Sequence, residues 1–357
     1  MTSVSRNRGG KASRLEIQGS VVDINNDFYD RGWTDGLPII PPTEDLVMQM
    51  LEASPIAGET VLGDMPPLNG TVTVEKVAIN TVMAGCIPDY FPVVLAAVKA
   101  VLQPQFNVGS ITTTTGGAAP VVIVSGAVAG RLRIHGGTAV FGSGHRANAT
   151  IGRALRLTMR NMGGATAETM EKSCQGWPGK YTMCFAESQE SNPWEPLHVD
   201  LGFPPEVSTV TVSAVRGIHT LAEATQETGQ GVLETIVSSM TAGGVSGYYY
   251  QARGASPVVV LGPEHAAEIA GAGFSRKDVK QYLFQHARIR LSALKDRGYW
   301  GARSWPDEWE FQGDDFLVPL VDDPDKLLLL VAGGDGRHSS WFPAWSATQR
   351  ATEIIEI

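Results

Sequence analysis

Three glycine-rich turns in this 357-residue chain carry side chains able to do acid–base or anion chemistry. The first is Phe141-Gly-Ser-Gly-His145-Arg146-Ala-Asn148, which opens a helical pattern with Ile151, Leu155 and Met159 on one face. A helix start gathers free backbone N–H groups and the positive end of the helix dipole, so His145, Arg146 and Asn148 would stand where a carboxylate or other anion is favoured. The second is Gly116-Gly117, just before an apolar run, with Gly117 exposing backbone N–H to a ligand. The third is Gly333-Gly334-Asp335-Gly336-Arg337-His338-Ser339, which follows Lys326–Val331. Arg146 and Arg337 are expected anion clamps, His145 or His338 an acid or base, and Ser339 a substrate contact. Cys86, between two strongly helical segments, is the candidate nucleophile, and Glu187 in Cys-Phe-Ala-Glu-Ser the candidate pocket carboxylate. The helix ending at Gly85 and the one starting after Asp89 act oppositely on that thiol, so packing remains the competing role for Cys86.

Other chemistries find less support in the spacing. No Gly-Lys-Ser/Thr phosphate loop and no GxGxxG opening a βα unit is present, which disfavours nucleotides. His145, His265 and His338 lack the spacing of a helical metal motif, so a metal site would have to be assembled by the fold, and none is assigned. A net charge of −9 argues against nucleic acid. With three cysteines, Cys86, Cys174 and Cys184, and no CxxC pair, a reducing cytoplasm is expected. Met1–Ser20 is polar and basic without an apolar run, and Val93–Leu102 is too short to cross a bilayer, so neither secretion nor a membrane is expected.

The elements that would position these groups read as an α/β protein of two related, pseudo-symmetric halves with mixed sheets and packed helices. After a disordered tail (1–20), the first half covers 21–205 and the second 206–357. Thr43 caps a helix, Thr73 begins a second that stops at Gly85, and Val93–Leu102 forms a third, buried because it is apolar all round. Val121–Val124 reads as a central strand and Val207–Val215 as another. The halves share an order: a helix, a Gly-Gly turn, a Pro-Val-Val strand ending in glycine, and a turn opening a basic-started helix. In the first these are Val93–Leu102, Gly116-Gly117, Pro120–Gly126 and Phe141–Arg146; in the second, Leu233–Met240, Gly243-Gly244, Pro257–Gly262 and Gly273–Lys277. Such a duplication places a pocket between equivalent turns. Trp33 and Asp35 stand in a turn from which they would reach a pocket. The long Gly/Pro-rich passage from Gly163 to Pro205 is expected to be functional.

Several phrases carry a family likeness: Gly32-Trp-Thr-Asp-Gly-Leu-Pro38, Ala84-Gly-Cys-Ile-Pro-Asp-Tyr-Phe-Pro92, Arg146-Ala-Asn-Ala-Thr-Ile-Gly-Arg153, and Gly179-Lys-Tyr181 with Phe185-Ala-Glu187. They resemble a poorly characterised bacterial family of GWTDGLP-type proteins associated with small UGSC-type selenocysteine or cysteine proteins. The resemblance implies an enzyme or enzyme subunit working beside a thiol or selenol partner. This chain has no UGSC or CGSC motif, so the partner would supply that group.

The expected function is hydrolysis or elimination at a carbon–heteroatom bond of a small polar or anionic organic substrate, with no cofactor assigned. Two alternatives stand beside it: a substrate-holding subunit of a thiol- or selenol-dependent reductase, and a metal-dependent enzyme. Expected partners are the small-molecule substrate, a UGSC-type protein and further copies of the chain.

Overall fold

The computed structural model describes residues 12–167, 169–242, 254–295, 309, 311–346 and 348–357. The entering arm is anchored: the Ala12 amide donates to Glu75 Oε2 at 2.9 Å, and the Arg14 guanidinium pairs with Glu75 at 3.1 Å. Composition placed this arm in a disordered tail, and ion pairing fixes its described part. Helix α1 (Val21–Asp30) starts at a Ser20–Asp23 capping box, and α2 (Glu44–Glu52) starts at Thr43, whose hydroxyl accepts from the Leu46 amide. A hairpin of β1 (Val61–Met65) and β2 (Gly70–Thr73) comes next, its alternation masked by glycine and aspartate. Thr73 caps α3 (Val74–Ala84), and Gly85 ends it in the left-handed conformation at φ 87°. Helix α4 (Phe91–Leu102) buries ten of its twelve residues, as its unbroken apolar character requires. No single helix among the described residues is long and apolar enough to cross a membrane.

The chain continues through α5 (Val108–Thr113), β3 (Ala119–Ser125), α6 (Val128–Arg131), α7 (Arg146–Gly163), β4 (Cys184–Ala186), α8 (Leu197–Asp200), β5 (Thr209–Val215) and β6 (His219–Ala222). Then follow α9 (Gly229–Thr241), β7 (Val258–Leu261), α10 (Pro263–Gly271) and α11 (Arg276–His286). Strand β8 (Arg288–Arg290), helix α12 (Leu291–Lys295) and strand β9 (Leu317–Pro319) precede β10 (Leu328–Val331), β11 (His338–Phe342) and β12 (Ala351–Ile354). The Gly243-Gly244 turn lies outside the described residues.

Two four-stranded mixed sheets form the centre, in the orders β4-β3-β5-β12 and β10-β7-β11-β6. In each, an edge strand runs parallel to the Pro-Val-Val strand, and the next two pairings are antiparallel. Strand β6 follows β5 in sequence but pairs in the second sheet, while β12 follows β11 and pairs in the first. A boundary near residue 205 therefore falls ahead of β5, whose seven residues all pair with β3.

The sheets stack face to face. Val121, Ile123 and Phe185 share one buried cluster with Val258, Val260, Leu328, Leu330 and Phe342. Because side chains alternate along a strand, Val122, Val124, Val210 and Val212 face the other way, onto α3, α4 and α7. Val259, Leu261, Leu329 and Val331 likewise face α9, α10 and α11. The result is an α/β fold in four layers, helix, sheet, sheet, helix, whose inner strands are buried on both faces.

Candidate active site

The ends of β4 and β10 meet through the Ser188 amide, which donates to Val331 O at 2.8 Å. Above them two loops interlock. One is 132–145, between α6 and α7, and the other is the glycine turn after β10. The Gly333 amide donates to Gly136 O at 2.8 Å. A Cβ on Gly136 would lie 2.5 Å from the Ala186 carbonyl oxygen, and one on Gly334 would lie 2.2 Å from Thr138 Oγ1. Both positions need glycine because of this close approach.

Asn148, in the first turn of α7, holds the first loop. Its Oδ1 accepts from the His135 amide at 2.8 Å, and its Nδ2 donates to His135 O at 2.9 Å. The clamped His135 ring stacks on His145, with centroids 3.5 Å apart and planes 5° from parallel. His135 Nε2 lies 2.7 Å from Thr138 O. A carbonyl only accepts, so Nε2 carries the proton and the Nδ1 lone pair is left free. His145 is the N-cap residue of α7, but its side chain makes no capping bond, and no acidic residue stands in the first turn. The positive helix end is therefore not neutralised by its own first turn.

Arg146 does something other than wait for an anion: its Nε and Nη2 donate to Gly85 O at 3.0 and 2.8 Å, closing the end of α3. Next to that carbonyl, Cys86 is buried in the helix-side core. Burial pushes its thiol up to about 12, outweighing the opposing pull of a Thr150 hydrogen bond and the Arg146 and Arg153 charges. A thiol so protonated at neutral pH lacks the reactivity expected of a nucleophile. Burial also pushes the Cys184 thiol up, helped by Cys86.

Glu187 follows β4 into a closed network and has no exposed side-chain surface. Its Oε2 accepts from Ser125 Oγ at 2.8 Å and the Leu197 amide at 2.7 Å. Its Oε1 accepts from Asn192 at 2.9 Å and pairs with Arg276 at 3.3 Å. The carboxylate's acceptor sites are filled, so the Ser125 proton points to Glu187. His198 Nδ1 lies 2.9 Å from the same Oγ, and its Nε2 lies 3.4 Å from Pro205 O. Sealed in this way, Glu187 positions the strand end and fastens α11 to it.

A parallel network surrounds Ser339. Its Oγ lies 2.8 Å from His265 Nδ1 and accepts from the Gly262 amide at 3.1 Å, while His265 Nε2 lies 3.0 Å from Glu223 O. Here Nε2 must donate to the carbonyl, so Ser339 donates to Nδ1 and every proton has one acceptor. Arg337, the second expected clamp, is committed as well: it meets Glu223 Oε2 at 3.0 Å, Glu268 at 2.7 Å and Gln226 O at 2.8 Å. Burial pushes the Glu223 carboxyl up, but hydrogen bonds from the Thr225 amide, Arg337 and the Gln226 amide hold it down to about 2. His338 is exposed at the start of β11.

The expected residues thus divide. His145 and Asn148 meet at the interlocked rim, with Gly333 and Gly334 beside them. Cys86 lies beneath α7, Glu187 behind the rim, and Arg337 and Ser339 in their own network. Gly117 lies in another corner, against Gly176. Sequence reasoning missed His135. The available signal was the tripeptide His135-Gly-Gly between a helix and the α7 turn, resembling the other glycine turns it did single out. Among the described residues, no group of three or more His, Cys, Asp or Glu side chains is arranged to hold a metal. The chain matches no protein-family model, and no curated protein matches it.

Proposed function

We propose that the chain is an enzyme acting on a small polar or anionic organic molecule at this rim, by hydrolysis or elimination at a carbon–heteroatom bond. The observation that carries this reading is the His135 ring: clamped by Asn148, fixed in one tautomer by Thr138 O, and stacked on His145 with Nδ1 free. Both reactions need a base, for water or for a C–H bond, and an acid for the leaving heteroatom. His135 Nδ1 is the base, His145 assists the leaving group, and the α7 start favours a carboxylate on the substrate. We further read the two sheets as copies of one unit that exchange their last strands. Their matching pairings support this, as do Pro120 at the head of β3 and Pro257 just before β7.

The test is an activity screen of small amides, esters and hydroxy or amino acids on the purified chain. His135→Gln keeps a donor for the Thr138 carbonyl but removes the base, so kcat should fall by about 10²-fold or more. An active chain that keeps its full kcat in both His135→Gln and His145→Gln would overturn the assignment. Oxygen-18 water incorporated into product marks hydrolysis; its exclusion marks elimination.

A further inference from the structure

A second charged assembly lies on α7, roughly 15 Å from the rim at 1.5 Å per helical residue. Here Arg156 faces the connection that carries Glu171 and Lys180, while Arg160, whose Nε donates to Gly32 O at 3.3 Å, adds its charge. Lys180 Nζ bonds Glu171 Oε2 at 2.8 Å, with the two side chains 13% and 16% exposed. Arg156 Nε donates to Lys180 O at 2.9 Å, and its Nη1 reaches only Met159 Sδ at 3.8 Å. Arg156 Nη2 has no partner among the described residues. Among the described residues, Arg156 and Lys180 thus share one carboxylate, Glu171.

That imbalance is costly in a half-enclosed corner. Burial, and after it the neighbouring Arg160 charge, hold Arg156 below its ordinary value, against the pull of Glu171. Burial and then Arg156 hold Lys180 below its own, against its bond to Glu171. The surrounding loops are nevertheless laced in place. The Cys174 amide donates to Thr115 O at 2.9 Å, and Ser173 Oγ to Gly116 O at 2.8 Å. Gly117 packs against the same connection, where a Cβ would make ordinary contact 3.4 Å from Gly176 Cα and 3.5 Å from the Trp177 ring. The Trp177 indole N–H is enclosed and has no acceptor among the described residues.

Cations kept together without enough counter-charge, on a framework fixed by other bonds, are the equipment of an anion site. We infer that this corner binds a phosphate group, with Arg156 and Lys180 as its principal ligands and the Gly116-Gly117 loop as its wall. The site is independent of the rim chemistry.

Calorimetric titration with inorganic phosphate, at ionic strength held constant with chloride, tests it. One saturable site per chain is expected. Arg156→Gln should weaken it about tenfold or more, and Arg131→Gln, an exposed arginine on α6, should leave it unchanged. Glycerol phosphate in the same titration separates the ligand's sources: equal binding supports an esterified phosphate, exclusion supports the free ion. Acetylation of the wild-type chain gives a reading that needs no variant, since phosphate should protect Lys180 but not the exposed Lys172. Absence of saturable binding, unchanged affinity in folded Arg156→Gln, or equal acetylation of Lys180 with and without phosphate would each overturn the site.

Discussion

Glu223 is buried against Arg337, and hydrogen bonds from the Thr225 amide, Arg337 and the Gln226 amide hold its carboxyl down to about 2. Its ordinary value is 4.5, so on acidification the unfolded chain takes up this proton first. The stability Glu223 contributes is complete above about pH 4.5 and is lost as pH falls towards 2. Urea unfolding followed across that window should show a shallower acid limb for Glu223→Gln than for wild type, and matching slopes would refute the pairing. Such roles were poorly legible in sequence. Arg337, Ser339, Glu187 and Arg146 were recognised as polar residues at strand ends and turns, and the structure keeps them there. Their partners (Glu223, His265, Arg276 and the Gly85 carbonyl) come from distant segments, and residue type alone does not reveal which donors are already satisfied. The burial that pushes the Cys86 thiol up was hidden for the same reason, since α7, which covers it, lies far along the chain.

At the scale of elements, α7 was the most legible part of the chain, because its apolar period and glycine-led start depend on local sequence. Its arginines were less so. Periodicity places them off the buried face, as expected of solvated side chains, but Arg153 and Arg160 hold the loop before α2, Arg146 the end of α3 and Arg156 the Lys180 carbonyl. Arg153 Nε and Nη2 meet Asp35 at 2.7 and 2.8 Å, and Nη2 also meets Pro38 O at 2.9 Å. Asn161 Nδ2 donates to Trp33 O at 3.1 Å. The Trp-Thr-Asp-Gly turn is thus docked on a helix, and the Asp35 carboxylate expected to reach a pocket is spent on Arg153. Both Arg153 and Asp35 side chains are only 13% exposed, so Arg153→Met strands a partly buried carboxylate. A loss of about 2 kcal/mol is expected in urea unfolding. A loss below about 0.5 kcal/mol, the usual size for an exposed pair, would show that the clamp contributes little.

Across the whole molecule, the strands and helices of the layered core were largely readable. The inner strands β3, β5 and β7 are β-branched runs, and each outer helix has a cap or an apolar face. Strand β11, His-Ser-Ser-Trp-Phe, has no such run and reads in sequence as part of the glycine turn before it. The exchange of β6 and β12 between the sheets was not readable, because Thr209–Val215 and Ala351–Ile354 pair across about 140 residues of chain. That exchange, the Glu187–Arg276 pair and the Gly136–Gly333 bond tie the two sheets together beneath the rim. The proposed chemistry depends on this assembly, since Thr138, whose carbonyl fixes the His135 tautomer, sits against Gly334 of the other sheet's turn. Long-range proton–nitrogen correlation NMR of the histidine-labelled chain, assigned with His135→Gln, tests it most directly. A protonated Nε2 and a lone-pair Nδ1 in the neutral His135 ring are the expected result. A neutral ring protonated on Nδ1 would contradict its assignment as the base.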